Sequence, residues 1–298
     1  MSSGIIVKAL SGFFYVQDDQ SQQIYQCKGR GILKKNLLTP LVGDHVRYTV
    51  TNPQEGVIEE IEPRKNEFFR PKVANVDQVV LVFTYKEPEW NQHLLDRFIA
   101  MAEYVGVQSV IVINKYDLLE AKTLPAVEES KKLYEQLGYP VIFVSTKDGV
   151  GKEALMAVLE NKISMFSGQT GVGKSSILNF LEPSFSLKTG DISSKLGRGK
   201  HTTRHVELFP LANGGFLVDT PGFGQIDLSS MEDVALLAPC FVEIGSAGQE
   251  CKYRGCTHTV EDGCHVRKLV NAGEIDQKRY QHYSELIGEI KEYKKNKY

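Results

Sequence analysis

The chain has 298 residues, of which 42% are hydrophobic and 24% charged, and its formal net charge is −2 at pH 7. This length allows two or three domains with buried cores, and the balanced charge excludes binding to nucleic acid through bulk positive charge. No apolar run reaches the roughly 20 residues of a transmembrane helix, and the N-terminus lacks a signal-peptide pattern, so we expect a cytoplasmic protein without membrane contact.

Residues 4–62 alternate short β-rich runs with turn residues. The runs include FFYVQ at 13–17 and HVRYTV at 45–50, and turn signals such as Gly43-Asp44 and Asn52-Pro53 separate them. Short strands between turn signals predict a small β-barrel or sandwich. The stretch PRKNEFFRPKVANVDQ that follows mixes prolines with basic residues and is predicted to be a linker.

From about residue 75 to 228, apolar strands alternate with helical segments. The predicted strands are QVVLVF, SVIVIN, PVIFVS, KISMFSG, RHVELFP and GFLVD, and the clearest helical patterns are NQHLLDRFIAMAEYVG and LPAVEESKKLYEQLG. Such alternation predicts a doubly wound α/β domain, which binds ligands at the carboxyl ends of its strands.

The strand SVIVIN ends in an N-K-x-D motif, and a second motif, S-T-K, follows the next strand. The carboxylate of Asp117 can accept both N1–H and the N2 amine of guanine, whereas adenine would leave it unpaired. Asn114 would brace the loop, and the alkyl stem of Lys115 would cover the base. The predicted base-binding residues are Asn114, Lys115, Tyr116, Asp117, Ser145, Thr146 and Lys147.

A phosphate-binding loop is predicted in SMFSGQTGVGKSSILNFL, where G-x-x-x-x-G-K-[ST] stands between an apolar strand and a helical pattern. Backbone N–H groups would surround the phosphates, Lys174 would reach the β- and γ-oxygens, and Ser175 would supply an oxygen to Mg²⁺. A plain Gly-rich turn is the alternative. The similar DGVGKEAL at 148–155 lacks the first glycine and has Glu153 in place of the hydroxyl, so we expect a loop that enters a helix.

Two further segments resemble the switches of a GTPase. In FLVDTPGFG, Asp219 would hold the Mg²⁺ shell through water and the Gly222 amide would meet the γ-phosphate, although D-x-P-G alone could be a strand followed by a turn. In GRGKHTTRHVEL, a threonine just before a strand would close on Mg²⁺ and the γ-phosphate. Either Thr202 or Thr203 could do so, and Thr203 is favoured.

After residue 229, helical segments surround a Cys/His cluster, CKYRGCTHTVEDGC. Three thiolates and one imidazole are enough to close a tetrahedral structural Zn²⁺ site. His265 is an alternative nitrogen ligand, and free cysteines or a disulfide are the other interpretation, which a reducing compartment disfavours. Cys27 and Cys240 are expected to be packing residues. The predicted zinc ligands are Cys251, Cys256, His258 and Cys264.

The motif order is base, base, phosphate, switch I, switch II (G4-G5-G1-G2-G3), whereas an ordinary GTPase begins with the phosphate loop. A circular permutation explains this order, because the ligand loops all leave one sheet edge and keep their geometry when the chain is cut and rejoined elsewhere. The join is predicted at residues 148–162, and the cut between the Asp219 strand and QVVLVF. Switch II then leads directly into the C-terminal segment.

With these motifs, the sequence resembles the circularly permuted GTPases of the ribosome-small-subunit-dependent GTPase A family. The resemblance covers nearly the whole chain and rests on NKYD, GQTGVGKSS, GRGKHTTRHVEL, DTPGF, LVGDHVRY and the Cys/His cluster. It implies a multidomain α/β protein with an N-terminal OB-fold β-barrel (1–64), a circularly permuted P-loop GTPase domain (65–228) and a C-terminal α-helical zinc-binding domain (229–298).

The resemblance also implies a function and its residues. The expected function is GTP hydrolysis, stimulated by the 30S subunit, in late maturation of that subunit, by a monomer that binds GTP or GDP, Mg²⁺, one structural Zn²⁺ and 16S rRNA. The implied Mg²⁺ ligands are Ser175, Thr203 and Asp219, and the implied catalytic residues are Lys174, Thr203, Asp219 and Gly222. The implied phosphate-binding residues are Gly168, Gln169, Thr170, Gly171, Val172, Gly173, Lys174, Ser175 and Ser176.

One position departs from the pattern of Ras-like GTPases. Phe223 follows D-x-P-G, where those proteins carry the glutamine that orients the attacking water. We therefore expect slow intrinsic hydrolysis, with the water positioned by another group or by the ribosome. His201 is a candidate, although a histidine in a basic loop is more often solvated or RNA-facing.

Three basic clusters suggest an rRNA surface, although each alone is more simply a solvated face. Phe223 also leaves open an alternative function, a GTP-switched RNA- or protein-binding module with only incidental hydrolysis. The clusters contain Lys28, Arg30, Lys34 and Lys35; Arg198, Lys200 and Arg204; and Lys291, Lys294, Lys295 and Lys297.

Overall fold

A computed structural model describes residues 1–30, 39–69, 71–185, 206–218, 228 and 231–297 of the chain. Its N-terminal part is a closed barrel of five strands in the order β1-β2-β3-β5-β4. Only β3 and β5 run parallel to each other. The barrel confirms the N-terminal prediction. Its strands are β1 (Ser2–Leu10), β2 (Phe13–Asp18), β3 (Ile24–Gly29), β4 (His45–Asn52) and β5 (Glu55–Ile61).

Side chains of these strands fill the barrel. Cys27 is fully buried among them, as expected of a packing residue. Buried and exposed residues alternate at the start of β4, as expected when one face of a strand lies in a barrel interior, whereas residues 4–7 of β1 are all buried. The interior includes Ile6, Val16, Cys27, Tyr48 and Ile58.

The predicted linker contains a two-stranded hairpin, β6 (Glu67–Phe69) and β7 (Lys72–Ala74), which the sequence analysis missed. Strands of three residues are too short for an alternating pattern to be recognised. The linker is also fixed to the barrel, because Arg64 Nε donates to the buried Asp44 at 2.7 Å. Gly43 has φ +90°, and a Cβ there would lie 2.1 Å from the Ala74 carbonyl oxygen. The barrel is therefore held close to the hairpin.

A six-stranded sheet forms the centre of the molecule, in the order β10-β9-β8-β11-β13-β12. Neighbouring strands are parallel except β12 and β13. All seven residues of β8 are buried, as expected for a strand covered on both faces. The strands are β8 (Gln78–Thr84), β9 (Gln108–Asn114), β10 (Val141–Phe143), β11 (Ile163–Ser167), β12 (Leu208–Pro210) and β13 (Phe216–Val218).

Helices α1 (Gln92–Tyr104), α2 (Leu124–Gln136), α3 (Lys152–Leu159) and α4 (Lys174–Leu181) connect these strands. Helix α3 lies in the predicted join of the permutation. The GVGK sequence before α3 is a loop entering a helix, as predicted: a Cβ at Gly151 would lie 2.0 Å from the Phe143 carbonyl oxygen. That glycine is required by close packing and not by a phosphate.

The C-terminal part contains α5 (Val242–Gly248), α6 (His265–Ala272) and α7 (Gln277–Lys297). Phe241, Tyr283 and Leu286 are buried between these helices, and Cys240 is buried beside them, as predicted. Across the described ranges, no helix combines the length and apolar character of a bilayer span.

A buried charged network joins this C-terminal part to the central sheet domain. Arg279 of α7 forms ion pairs with Asp96 of α1 and with Glu243 of α5, and its side chain is 1% exposed. His282 Nδ1 lies 2.6 Å from the other oxygen of Asp96, and the Tyr134 hydroxyl donates to Asp96 at 2.7 Å. Buried charges are stable only when they are paired and hydrogen-bonded, so this network fixes α7 against α1.

We predict that Arg279→Met lowers the free energy of unfolding by about 3 kcal/mol, because removing one member of a buried pair leaves the other charge uncompensated. The control is Arg97→Met, which breaks a more exposed α1–α7 pair with Glu289 and should cost less than about 1 kcal/mol. Urea unfolding followed by the fluorescence of Trp90, the single tryptophan, measures both. Equal losses in the two variants would contradict the prediction.

Candidate functional site

The predicted phosphate loop, residues 168–173, joins β11 to α4. Gly168 has φ +143°, and a Cβ there would lie 2.1 Å from the Val82 carbonyl oxygen of β8. Gly173 has φ +92°, and a Cβ would lie 2.5 Å from Asn114 Nδ2. Both positions thus require glycine, which lets the loop pack against β8 and β9 and leaves its backbone N–H groups available for an anion.

Lys174 begins α4 and folds back over this loop. Its ammonium donates to the carbonyl oxygens of Gly168 and Gln169, both at 2.7 Å. Burial lowers the pKa of Lys174 to about 8, because the charged form is desolvated. Ser175 follows in the first turn of the helix and is buried. The two side chains therefore lie together where the loop meets the start of α4.

The N-K-x-D motif stands at the end of β9, beside the phosphate loop. Asn114 Nδ2 donates to the Val172 carbonyl oxygen at 2.8 Å and connects the two motifs. Lys115 has φ +58°, and its ammonium donates to the Glu87 carbonyl oxygen. Tyr116 stacks on Phe143 with ring centroids 4.9 Å apart. The backbone of the motif is thus fixed by contacts to three neighbouring segments.

The carboxylate of Asp117 is oriented by the second base motif. The Ser145 hydroxyl lies 3.0 Å from Asp117 Oδ1 and 3.2 Å from Asp148 Oδ2, and the Asp148 amide donates to Ser145 Oγ at 3.1 Å. Ser145 is fully buried, and Thr146 and Lys147 follow it towards solvent. Sequence patterns did not identify Asp148 or Glu87. Asp148 directly follows the S-T-K motif, but Glu87 contributes only a carbonyl, which has no sequence signal.

The predicted switch residues Thr202, Thr203, Asp219 and Gly222, together with His201 and Phe223, lie outside the described residues. The neighbouring strand ends are described. Leu208 of β12 pairs with Val218 of β13, and Val218 pairs with Met165 of β11. Because β11 and β13 are parallel, β13 ends at Val218 at the same edge of the sheet from which the predicted phosphate loop leaves β11.

The four predicted metal ligands converge in the C-terminal part. Their ligand atoms all lie within 4.8 Å of one another. His258 Nδ1 is 3.5 Å from both Cys251 Sγ and Cys264 Sγ, which are 3.8 Å apart. The alternative ligand His265 is directed to Glu250, with Nε2 3.4 Å from the carboxylate. The group of Cys251, Cys256, His258 and Cys264 could therefore hold a metal ion.

Surrounding hydrogen bonds fix the loop that carries His258. Tyr280 donates to the His258 carbonyl oxygen at 2.8 Å, and Tyr283 to the Thr257 carbonyl oxygen at 2.9 Å. Burial opposes ionisation of Glu261, but donors from Thr257 and from the Thr259 amide outweigh it and lower the pKa of that carboxyl to about 2. These contacts hold the ligand loop in place from outside, as is usual around metal sites.

The environment of the cluster favours the ligating protonation states of His258 and Cys251, whereas burial raises the pKa of the Cys256 and Cys264 thiols. Burial lowers the pKa of His258, which favours the neutral imidazole. Burial opposes ionisation of Cys251, but backbone N–H groups of Val266 and His265 outweigh it and lower the pKa of that thiol. Neutral imidazole and thiolate are the forms that bind a metal ion.

The basic clusters are partly neutralised. Lys28 lies over the Phe13 ring, 5.0 Å from its centroid, and Arg30 pairs with Glu59. Lys294 donates to the Glu232 carbonyl oxygen, whereas Lys291 and Lys295 are exposed. Lys297 ends α7. The remaining predicted RNA contacts, Lys34, Lys35, Arg198, Lys200 and Arg204, lie outside the described residues.

Family comparisons cover most of the chain. Residues 61–229 match the family described as RsgA GTPase, and residues 3–58 match the family described as RsgA N-terminal domain. Residues 164–295 also match a family described as 50S ribosome-binding GTPase. The RsgA GTPase match alone spans more than half of the sequence.

Individual relatives match over almost their full length. A protein of Bacillus cereus, named small ribosomal subunit biogenesis GTPase RsgA, is 48% identical over 294 residues and 99% of both chains, and one of Alkaliphilus metalliredigens with the same name is 44% identical over 98% of both. Among solved structures, YjeQ from Thermotoga maritima has a TM-score of 0.86, 37% identity, and coverage of 97% of this chain and 98% of that one. YloQ, described as a circularly permuted GTPase, has a TM-score of 0.85, 40% identity, and coverage of 98% and 96%.

The lowered pKa of Lys174 predicts a pH-dependent affinity for GDP. A bound β-phosphate would stabilise the ammonium of Lys174 and raise its pKa. In the free protein Lys174 loses its proton near pH 8, so above this pH the binding of GDP would be accompanied by uptake of a proton at Lys174. Affinity is then full well below the pKa of about 8 and falls as pH rises through it, by about eightfold between about pH 7.5 and about pH 9.

Isothermal titration calorimetry across this pH range provides the measurement, with GMP as the control ligand. GMP has the same guanine base, which itself titrates at alkaline pH, but it lacks the β-phosphate. Its affinity should therefore not show the further decrease that deprotonation of Lys174 causes for GDP. If GDP and GMP weaken in parallel, Lys174 does not titrate in this range.

Proposed function

The chain belongs to the RsgA family of GTPases, and we propose that it binds the small (30S) ribosomal subunit and acts in its late maturation. One observation carries the proposal: base and phosphate motifs in permuted order meet at one sheet edge, and this site is flanked by a five-stranded barrel and a Cys₃His cluster. Relatives that match over 98–99% of this chain are named small ribosomal subunit biogenesis GTPases.

We assign the nucleotide site residue by residue. Asp117, held by Ser145, would accept the N1 and N2 hydrogens of guanine, with Thr146 and Lys147 presenting backbone to O6. Residues Gly168 to Ser176 would surround the phosphates, with Lys174 on the β- and γ-oxygens. The Mg²⁺ ligands would be Ser175, Thr203 and Asp219. The position of Asn114 and the burial of Lys174 support this assignment.

Binding to the subunit would involve 16S rRNA. A small barrel that binds nucleic acid through a strand face, together with the exposed Lys291 and Lys295 of α7, supports an RNA surface. We expect the protein to act as a cytoplasmic monomer. The division into residues 1–64, 65–228 and 229–298 stays a prediction, supported by the end of β5 at Ile61 and the start of the C-terminal helices after residue 231.

The geometry of the Cys₃His cluster supports zinc as its metal. Zn–S bonds of about 2.3 Å and a Zn–N bond of about 2.0–2.1 Å in a tetrahedron require S–S edges of about 3.8 Å and S–N edges of about 3.6 Å. The Cys251–Cys264 distance of 3.8 Å and the two distances of 3.5 Å to His258 agree with these edges, and Cys256 completes the group, in which all ligand atoms lie within 4.8 Å of one another. With four protein ligands there is no open coordination position, so zinc would serve the fold and not the hydrolysis.

We predict that isolated 30S subunits increase the rate of GTP hydrolysis at least tenfold, because Phe223 cannot orient the attacking water and the subunit must complete the site. A radiolabelled phosphate-release assay measures the rate with 30S, 50S or free rRNA, and Lys174→Ala reports any contaminating activity. Absence of 30S stimulation with intact GTP binding would favour a GTP-switched binding module. Stimulation by 50S alone would indicate the other subunit as the target.

A second prediction concerns the metal. The purified protein should contain one Zn²⁺ per chain, and His258→Ala should lower the zinc affinity by at least tenfold, because the tetrahedral shell loses a ligand. His265→Ala is the matched control, since its ring is directed to Glu250. Competition with a chromogenic chelator measures both affinities. Equal loss in the two variants would contradict the ligand assignment.

A further inference from the structure

The barrel contacts the central sheet at its edge strand. The pairing of β1 with β2 shifts register between Ile6 and Lys8, and Lys8 forms an isolated antiparallel bridge with Glu207, directly before β12. The Lys8 ammonium donates to both carboxylate oxygens of Glu207, at 3.1 and 2.9 Å. Backbone and side chain thus connect the same two residues.

The ion pair between Lys8 and Glu207 is partly shielded from solvent. The side chains of Lys8 and Glu207 are 33% and 34% exposed, and the two neighbours of Glu207, Val206 and Leu208, are buried. A fully exposed ion pair exchanges easily with water and holds little. Here the buried neighbours of Glu207 and its backbone bridge to Lys8 limit the replacement of the ion pair by water. A displacement of the barrel would therefore carry Glu207 with it.

The position of Glu207 relates the barrel to the predicted switch segments. The pair of Leu208 and Val218 stands at one end of the β12–β13 ladder. In the sequence, Glu207 directly precedes Leu208, and Asp219 directly follows Val218. Thr203 stands four residues before Glu207 in the sequence. Both predicted Mg²⁺ ligands of the switches therefore belong to segments that join the ladder at the end where Lys8 contacts Glu207.

We propose that Lys8 and Glu207 are positioning residues for subunit-stimulated GTP hydrolysis. Their ion pair transmits the position that the barrel adopts on the 30S subunit to the ends of β12 and β13, and hence to the segments that carry Thr203 and Asp219. This inference rests on the proposed function. Neither residue contacts the nucleotide in this role, and both act through the strand end.

Small displacements are sufficient for such an effect. Misplacing a catalytic group by about 1 Å can change a rate by about a hundredfold. The carboxylate of Glu207 is held at both oxygens, and its backbone is held by the bridge to Lys8. The start of β12 is therefore fixed relative to the barrel in both orientation and distance. A rotation of the barrel on the subunit would move this strand end with it.

Charge reversal tests the proposal with variants Lys8→Glu, Glu207→Lys and the double exchange Lys8→Glu/Glu207→Lys. At saturating 30S and GTP, we expect the stimulated kcat of each single variant to fall about tenfold. The double exchange restores the ion pair with reversed polarity and should recover to within about threefold of wild type, which is the signature of direct coupling.

The matched control is Arg47→Glu, which also reverses a charge on the barrel. Arg47 lies in β4, and its ion-pair partner is Glu62, at 3.8 Å. A change that only weakens docking raises the 30S concentration needed for half-maximal stimulation but leaves kcat at saturation unchanged. We expect Arg47→Glu to do no more than this. Thermal unfolding of every variant checks the fold, and Lys8→Met with Glu207→Gln replaces any reversal that fails to fold.

Unchanged saturating kcat in both single variants would overturn the proposal. So would a double exchange whose deficit equals the two single deficits combined. The proposed function fails in a different way, because wild-type protein would then show no 30S stimulation at all. The ion pair predicts three results together. The 30S subunit stimulates wild-type protein, both single variants have a lowered kcat at saturation, and the double exchange recovers most of that kcat.

Discussion

The hydrogen bond from Asn114 to the Val172 carbonyl oxygen is the contact on which the proposed nucleotide site depends. It joins the base motif to the phosphate loop, two segments that are separated by 58 residues and by the permuted join. Gly173 belongs to the same contact, since any side chain there would collide with the Asn114 amide. One buried amide therefore connects the two motifs, independently of the order in which the chain visits the two loops.

Much of this arrangement could be predicted from the sequence because it depends on chemistry with a fixed spacing. The glycines of the predicted phosphate loop, the base motifs and the four proposed metal ligands are recognised by residue type and separation. The β6–β7 hairpin could not be recognised, because three-residue strands beside Pro71 have no period. The Lys115–Glu87 contact uses a carbonyl, and any residue supplies one. Likewise, nothing in the sequence pairs Lys8 with Glu207.

The buried network at Asp96 is an intermediate case. An acidic residue between Leu95 and the buried Phe98 and Ile99 breaks an otherwise apolar helix face, which indicates a buried charge in need of a partner. That signal does not identify the partner, because Arg279 lies 183 residues away. Sequence can thus reveal the requirement, while only the fold supplies the guanidinium that satisfies it.

The proposed place of the permutation cut would let both flanking parts of the chain respond to one nucleotide. Cutting the chain between β13 and β8 attaches the barrel before β8 and the C-terminal helices after the Asp219 segment. The C-terminal helices are then anchored to α1 through Asp96, while the barrel contacts the start of β12 through Lys8. In the function proposed above, the predicted switch II leads into the C-terminal part, and Glu207, directly before β12, is held by the barrel, so a change at the γ-phosphate would act between the two. In an unpermuted order, the same switches would be internal loops of one domain.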